Sequence, residues 1–200
     1  MMNKQRQSKL FFDLLARFYD WFPLGWWLRR VQKKVIAVMN PKPNAAILDI
    51  GCGTGSALKM LLDQDHKGKL VGVDFSPKML EKARQKLGKR VLLYHADVAR
   101  LPFKTGSFDF VICTEAFHHF PDPEKAMKEM MRVMKKGGKL YLADVSFIFS
   151  FKRWLFQKIE PGCVHIYSKQ EFKELFQNTG FQGINQHRLG LLIVLTRGTK

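Results

Sequence analysis

The sequence predicts an α/β protein with a mainly parallel sheet covered by helices. Three observations lead there. Short Val/Ile/Leu-rich runs alternate with amphipathic helical patterns through residues 45–145, as expected for parallel strands buried on both faces. A glycine cluster, "GCGTG" at 51–55, directly follows the first of these runs. An acidic residue stands at or just past the end of each of the first three runs: Asp49, Asp74 and Asp97. In open sheets of this kind ligands bind beyond the carboxyl ends of the strands, where strand order reverses, so glycines and acids fall where a site belongs.

The elements read in chain order. "LFFDLLARFYDWFPLGWWLRRVQKKVIAVM" gives two helices broken at Pro23, Leu24 and Gly25. In the second, Trp27, Val31, Val35 and Val38 or Met39 share one face, with Arg30, Lys33 and Lys34 elsewhere. "NPKPN" ends this segment, so 1–42 separates from a main domain over 43–200, within one globular unit. "AAILDI" is the first strand and "GSALKMLLDQ" the first helix of that domain. "KLVGVDF" is the second strand. The helix after it has Ser76 as N-cap, Pro77 in its first turn and Gly88 past its end. "RVLLYHA" and "FDFVICT" are strands three and four. The helix "DPEKAMKEMMRVMKKGG" starts on Asp-Pro and is expected to stop at Gly-Gly with lysines in its last turn. "KLYLADV" is the fifth strand. Ser168 and Glu171 form a capping box that opens "SKQEFKELFQNTG". "FQGINQHRL" and "LLIVLTR" close the chain as a hairpin around Gly190.

Charge and cysteines narrow the class. The 200 residues carry 34 Lys+Arg against 17 Asp+Glu, a net +17, which argues for an anionic partner: nucleic acid or an acidic membrane surface. A chain kept soluble by basic charge is the plain alternative. Cys52, Cys113 and Cys163 are odd in number and without CxxC spacing, which speaks against disulfides and zinc and for a reducing compartment. No metal site is expected. The first ten residues lack the apolar stretch of a signal peptide, and no run approaches the ~20 apolar residues that span a bilayer. The expectation is a cytoplasmic protein, with a peripheral membrane contact left open.

A glycine-rich turn between strand and helix marks a nucleotide-like ligand. Here it reads G-x-G-x-G, and Ser56 stands where a dinucleotide fingerprint wants its third glycine, which disfavours an NAD(P) dehydrogenase. Asp74, ending the second strand, suits both hydroxyls of a ribose.

"ILDIGCGTG", "VGVDFS", "HADVARLPF" and "FDFVICTEAFHHFPDPEKAMKEMMRVMKKGGKLYLAD" resemble the ordered motifs of the class I S-adenosylmethionine-dependent methyltransferases. The likeness is greatest to the branch of ubiquinone/menaquinone-biosynthesis and phospholipid N-methyltransferases. It implies a seven-stranded Rossmann-like sheet with a terminal antiparallel hairpin, S-adenosylmethionine as cofactor, and an N-terminal helical lid. It places Gly51 and Gly53, with Cys52 and Gly55, in the methionine loop, and has Asp49 orient that loop or the amino group. It places Asp74 on the ribose, Phe75 against the adenine face, Asp97 and Val98 at the ring edge, Thr114 and Glu115 by the methionine and the methyl group, and Met79 among the cofactor-binding residues. "RFYD" resembles the branch's N-terminal element and puts Tyr19 on the cofactor. Glu115, His118 and His119 are the candidate bases, His118 favoured, with His165 a further candidate reaching the pocket from a long loop.

The aromatic-basic segments, "FIFSFKRWLFQK" included, suit a lid or the interface of an anionic membrane, though core packing explains much of residues 26–39 equally well. The expected acceptor is therefore a small lipophilic or amphiphilic molecule, a quinone precursor or a phospholipid headgroup, at a membrane surface. RNA is the alternative the charge supports. The missing Asn/Asp-Pro-Pro-aromatic motif after strand four disfavours base amines. An inactive cofactor-binding partner subunit is the third reading.

Overall fold

Strands β1 (Ile47–Ile50), β2 (Leu70–Asp74), β3 (Leu92–His95), β4 (Phe108–Thr114), β5 (Met134–Val145), β6 (Gln182–Arg188) and β7 (Ile193–Thr199) form one sheet. Their order is β3-β2-β1-β4-β5-β7-β6. The structure, a computed structural model, describes residues 4–16, 23–147 and 150–200. β1 pairs in parallel with both β2 and β4, so the order reverses between β1 and β4. β7 runs antiparallel to both β5 and β6, as the expected terminal hairpin requires.

Alternation along the strands sends neighbours to opposite faces. Ile47 packs with Val31, Val35, Ile36 and Met39 of α2 (Pro23–Met39), Leu58 and Leu61 of α3 (Ser56–Asp63), and Leu80 and Ala83 of α4 (Pro77–Leu87). Leu48 packs on the other face, with Met127 and Met130 of α5 (Pro123–Val133) and Phe172 and Phe176 of α7 (Lys169–Thr179). Fully burying one such phenylalanine contributes about 1.5–3 kcal/mol. α2 turns Met39 inward, 4% exposed, and leaves Val38 at 38%. Its buried stripe thus belongs to the sheet's core. The remaining helices are α1 (Lys4–Leu15) and α6 (Ser150–Ile159).

The helix ends follow local chemistry. Ser76 Oγ accepts from the Met79 amide and Pro77 opens α4. Ser168 and Glu171 make the reciprocal capping box of α7. α5 departs from expectation: it ends at Val133, short of the glycines. Met134 already pairs with Phe108, then the register shifts so that Lys139 faces Phe110. Gly137, at φ +77°, lies between the two pairings, so Lys135 and Lys136 belong to β5.

Candidate active site

A cleft of roughly 1090 Å³, its open mouth included, lies at the carboxyl ends of β1, β2 and β4, beside the reversal of strand order. The loop after β1 supplies Gly51, Cys52, Gly53, Thr54 and Ser56 to its wall. Gly51 and Gly53 have φ of +68° and +52°, a region that L side chains rarely adopt. Their surroundings differ. A Cβ on Gly51 would come within 2.4 Å of the Ala116 Cβ, whereas one on Gly53 would meet nothing within 4 Å. Gly51 therefore lets the loop after β4 approach, and Gly53 leaves open space in the cleft. Gly55 does not line the cleft; a Cβ there would strike Leu87 at 2.5 Å, so its smallness serves the packing of α3 against α4.

Asp74 fastens this end of the cleft. Its Oδ2 accepts from the Gly53 amide at 2.7 Å and its Oδ1 from the Ser76 amide at 2.8 Å. Burial raises its pKa, and the Ser76 and Gly53 amides pull the other way. A carboxylate oxygen has two acceptor sites, so both oxygens keep capacity for hydroxyl donors. Phe75, Met79, Asp97, Val98, Cys52 and Thr114 also line the cleft. Phe75 is 37% exposed, and Asp97 is exposed and accepts from the Ala99 amide at 2.9 Å. Asp49 does not line it: the side chain is 1% exposed, its Oδ1 has no hydrogen-bond partner among the described residues, and burial followed by Asp74 pushes its pKa well up. Tyr19 lies outside the described residues.

The other end is built from side chains. Glu115, at φ +54°, lines the cleft with its Oε1 buried and unpartnered. Burial first, then Asp144, holds its carboxyl well above the usual range. Of the two histidines, His119 lines the cleft and His118 does not. His118 is turned toward β5: its Nδ1 lies 2.5 Å from Asp144 Oδ1, its amide donates to Asp144 Oδ2 at 3.0 Å, and its Nε2 lies 3.4 Å from Glu160 Oε1. Burial opposes charge on His118, but the Asp144 and Glu160 carboxylates outweigh it and raise its pKa well above the imidazole norm. His119 is pushed down to about 4, by burial and then by His118. Neither of its ring nitrogens makes a well-formed hydrogen bond, although the Gly162 backbone slightly favours its protonated form. His165 is bound to Glu171 at 2.8 Å and does not line the cleft.

Residues the motifs do not announce complete the wall. Ser8 and Phe12 of α1 line the cleft, as do Leu28, Arg29 and Gln32 of α2. Gln32 Nε2 reaches Thr114 Oγ1 at 3.5 Å. A glutamine one turn after the buried Leu28 is the signal that could have found it.

Residues 48–142 match the family model described as a methyltransferase domain. The chain is 29% identical over 189 residues to a demethylmenaquinone methyltransferase of Lactiplantibacillus plantarum, covering 80% of each. It is 34% identical over 158 residues to one of Staphylococcus epidermidis, covering 74% of this chain and 66% of the relative. Among solved structures, a Haloferax volcanii methyltransferase in complex with the Trm112 methyltransferase activator shares the fold at TM-score 0.80 and 23% identity, over 94% of this chain and 96% of that one. Fold, glycine loop and strand-end carboxylates define an S-adenosylmethionine-dependent methyltransferase, and S-adenosylmethionine is its cofactor. The chain belongs to the class I family of these enzymes. The open space at Gly53 and the spare acceptor sites of Asp74 fit that cofactor.

Proposed function

We propose that the enzyme methylates a small lipophilic or amphiphilic acceptor, a quinone precursor or a phospholipid headgroup amine, drawn from an anionic membrane surface. One observation carries this reading: the elements around the acceptor end present aromatic side chains to solvent beside cations. Trp26 is 54% exposed with the Arg30 guanidinium 4.1 Å over its ring, and Trp154 is 52% exposed with the Lys158 ammonium at 4.1 Å. Leu14 and Ile159 extend the exposed apolar surface of α1 and α6. Aromatic and basic side chains together suit the headgroup layer of an anionic bilayer. No helix among the described residues is long and apolar enough to cross a membrane. The two demethylmenaquinone methyltransferase relatives support the same acceptor class.

In this reading residues 1–42 act as the lid over a 43–200 domain. Asp74 receives the ribose hydroxyls, Phe75 and Met79 flank the adenine, and Asp97 and Val98 meet its edge. Gly51, Cys52, Gly53 and Thr114 border the methionine end. The bound cofactor supplies an already activated methyl group, so alignment of the acceptor provides most of the catalysis. Glu115 and His119 face the space where an acceptor's proton would leave, and His118 positions that wall through Asp144. The net charge of +17 supports RNA as the second reading.

The test pairs labelled S-adenosylmethionine binding, for wild type and Asp74→Ala, with flotation on anionic and neutral vesicles. The expected result is cofactor binding lost in Asp74→Ala, together with flotation on anionic vesicles alone. Flotation should drop sharply in a Trp26→Ala/Trp154→Ala double variant. Cofactor binding without any flotation would overturn the membrane acceptor and turn the search to RNA.

A further inference from the structure

We propose that His118, His119 and Glu160 form a binding site for a divalent transition-metal ion at the wall of the cleft. These residues each offer one ligand atom, and the three atoms lie within 4.8 Å of one another. Glu160 Oε1 stands 3.4 Å from His118 Nε2 and 3.7 Å from His119 Nε2. Both separations exceed the ~2.9 Å of an ordinary N–H···O hydrogen bond. The first matches the roughly 3.3–3.4 Å between ligand atoms that share one tetrahedral ion at bonds of about 2.0–2.1 Å, and the second exceeds it by about 0.3 Å. The two imidazoles sit side by side, centroids 4.1 Å apart.

Two further observations point the same way. The first is support behind a ligand. His118 directs Nδ1 at the fully buried Asp144, which turns Nε2 toward Glu160, the carboxylate–histidine arrangement that orients metal-binding imidazoles. The second is unmet polar capacity. His119 is 8% exposed and neither ring nitrogen makes a well-formed hydrogen bond, and Glu160 Oε2 is also buried without one. Buried polar atoms of this kind need an occupant to satisfy them. Carboxylates stand against the pair: Asp144 and Glu160 lie beside His118, and Glu160 also beside His119.

Two imidazoles and one carboxylate suit a first-row ion such as Zn(II) or Co(II) rather than Mg(II) or Ca(II), which prefer oxygen alone. The Phe12 ring lies edge-on to His119 at 5.0 Å and shields one side of the site. A site with three protein ligands keeps a position for water or for an acceptor oxygen. That last use rests on the acceptor reading above; ion binding does not.

The experiment titrates Zn(II) into metal-free full-length protein by calorimetry, with Co(II) absorption in the visible as a second readout. Wild type should take one ion per chain, and His119→Ala should lose it. Glu160→Gln, at a half-buried position that tolerates an amide, should bind more than about 100-fold more weakly, beyond the 10–100-fold typical of supporting residues. It carries the test if His119→Ala does not fold. No saturable binding, or binding unchanged in the folded variants, overturns the site. Labelled S-adenosylmethionine binding on the same samples reports the methyltransferase reading separately.

Discussion

The glycine-loop end of the cleft is largely backbone: Gly51 and Gly53 are left-handed, and the part-buried Asp74 accepts from the Gly53 amide through Oδ2 and from the Ser76 amide through Oδ1. The far end is largely side chain. Glu115, His118, His119, Asp144 and Glu160 converge there from β4, β5 and the end of α6, and helices α1 and α2 cover it. Backbone geometry suits a ligand that is the same in every turnover. Side chains contributed by separate elements can be exchanged piecemeal, which suits the part of an enzyme that selects its acceptor. The energetics differ too: a solvated hydrogen-bonded loop tolerates loss of one contact, whereas a buried charged cluster does not.

That contrast can be broken most sharply at His118. His118→Ala leaves Asp144 fully buried without its counter-charge, and should cost about 3–5 kcal/mol in urea unfolding. Replacing both partners with apolar residues of similar size should cost markedly less. A loss below about 1 kcal/mol for His118→Ala would mean that the cluster is not held by this pair. At the other end, Gly53→Ala meets no atom within 4 Å, so its stability cost should be limited to about 1–2 kcal/mol for the left-handed backbone. Labelled S-adenosylmethionine binding should nonetheless weaken by tenfold or more (1.4 kcal/mol per decade), because the methyl group enters the open space of the cleft. Unchanged affinity would remove Gly53 from the cofactor's surface.

The smallest effect lies away from both ends. Burial would raise the Glu171 pKa, but the Ser168 hydroxyl and amide, then His165, lower it from 4.5 to about 2. A depressed carboxylate contributes stability above its unfolded pKa and loses it as pH falls. Its contribution should therefore be complete above about pH 4.5 and fade between 4.5 and 2, by less than about 1 kcal/mol because the side chain is 36% exposed. Acid unfolding of Glu171→Gln should lack that component.

The fold was legible because its signals are local. Apolar runs, the Ser76 cap and the Ser168/Glu171 box each act within a few residues, and each is present. The same holds for the glycine loop and Asp74, which are 21 residues apart but fixed at the ends of adjacent strands. The histidine end resists such reading. Asp144 sits inside the apolar run "KLYLADV", indistinguishable there from a strand residue, and Glu160 comes to His118 across 42 positions. No spacing rule connects them, because a helix after β5 makes the connection. α5 is shorter than its sequence suggests for a related reason: lysines followed by glycines fit a helix end, and only the pairing of Met134 with Phe108 decides for a strand.

The contact between Gly51 and Ala116 has a consequence for redesign. Those two positions share the volume of roughly one methyl group, 2.4 Å being far too short for two. Their tolerated sizes are thus interdependent, and substitutions there should be non-additive: Ala116→Gly recovers part of what Gly51→Ala loses, leaving only the backbone strain at φ +68°. Libraries that vary the loop after β4 to change acceptor choice must hold 116 small, or they will shift the cofactor loop along with it.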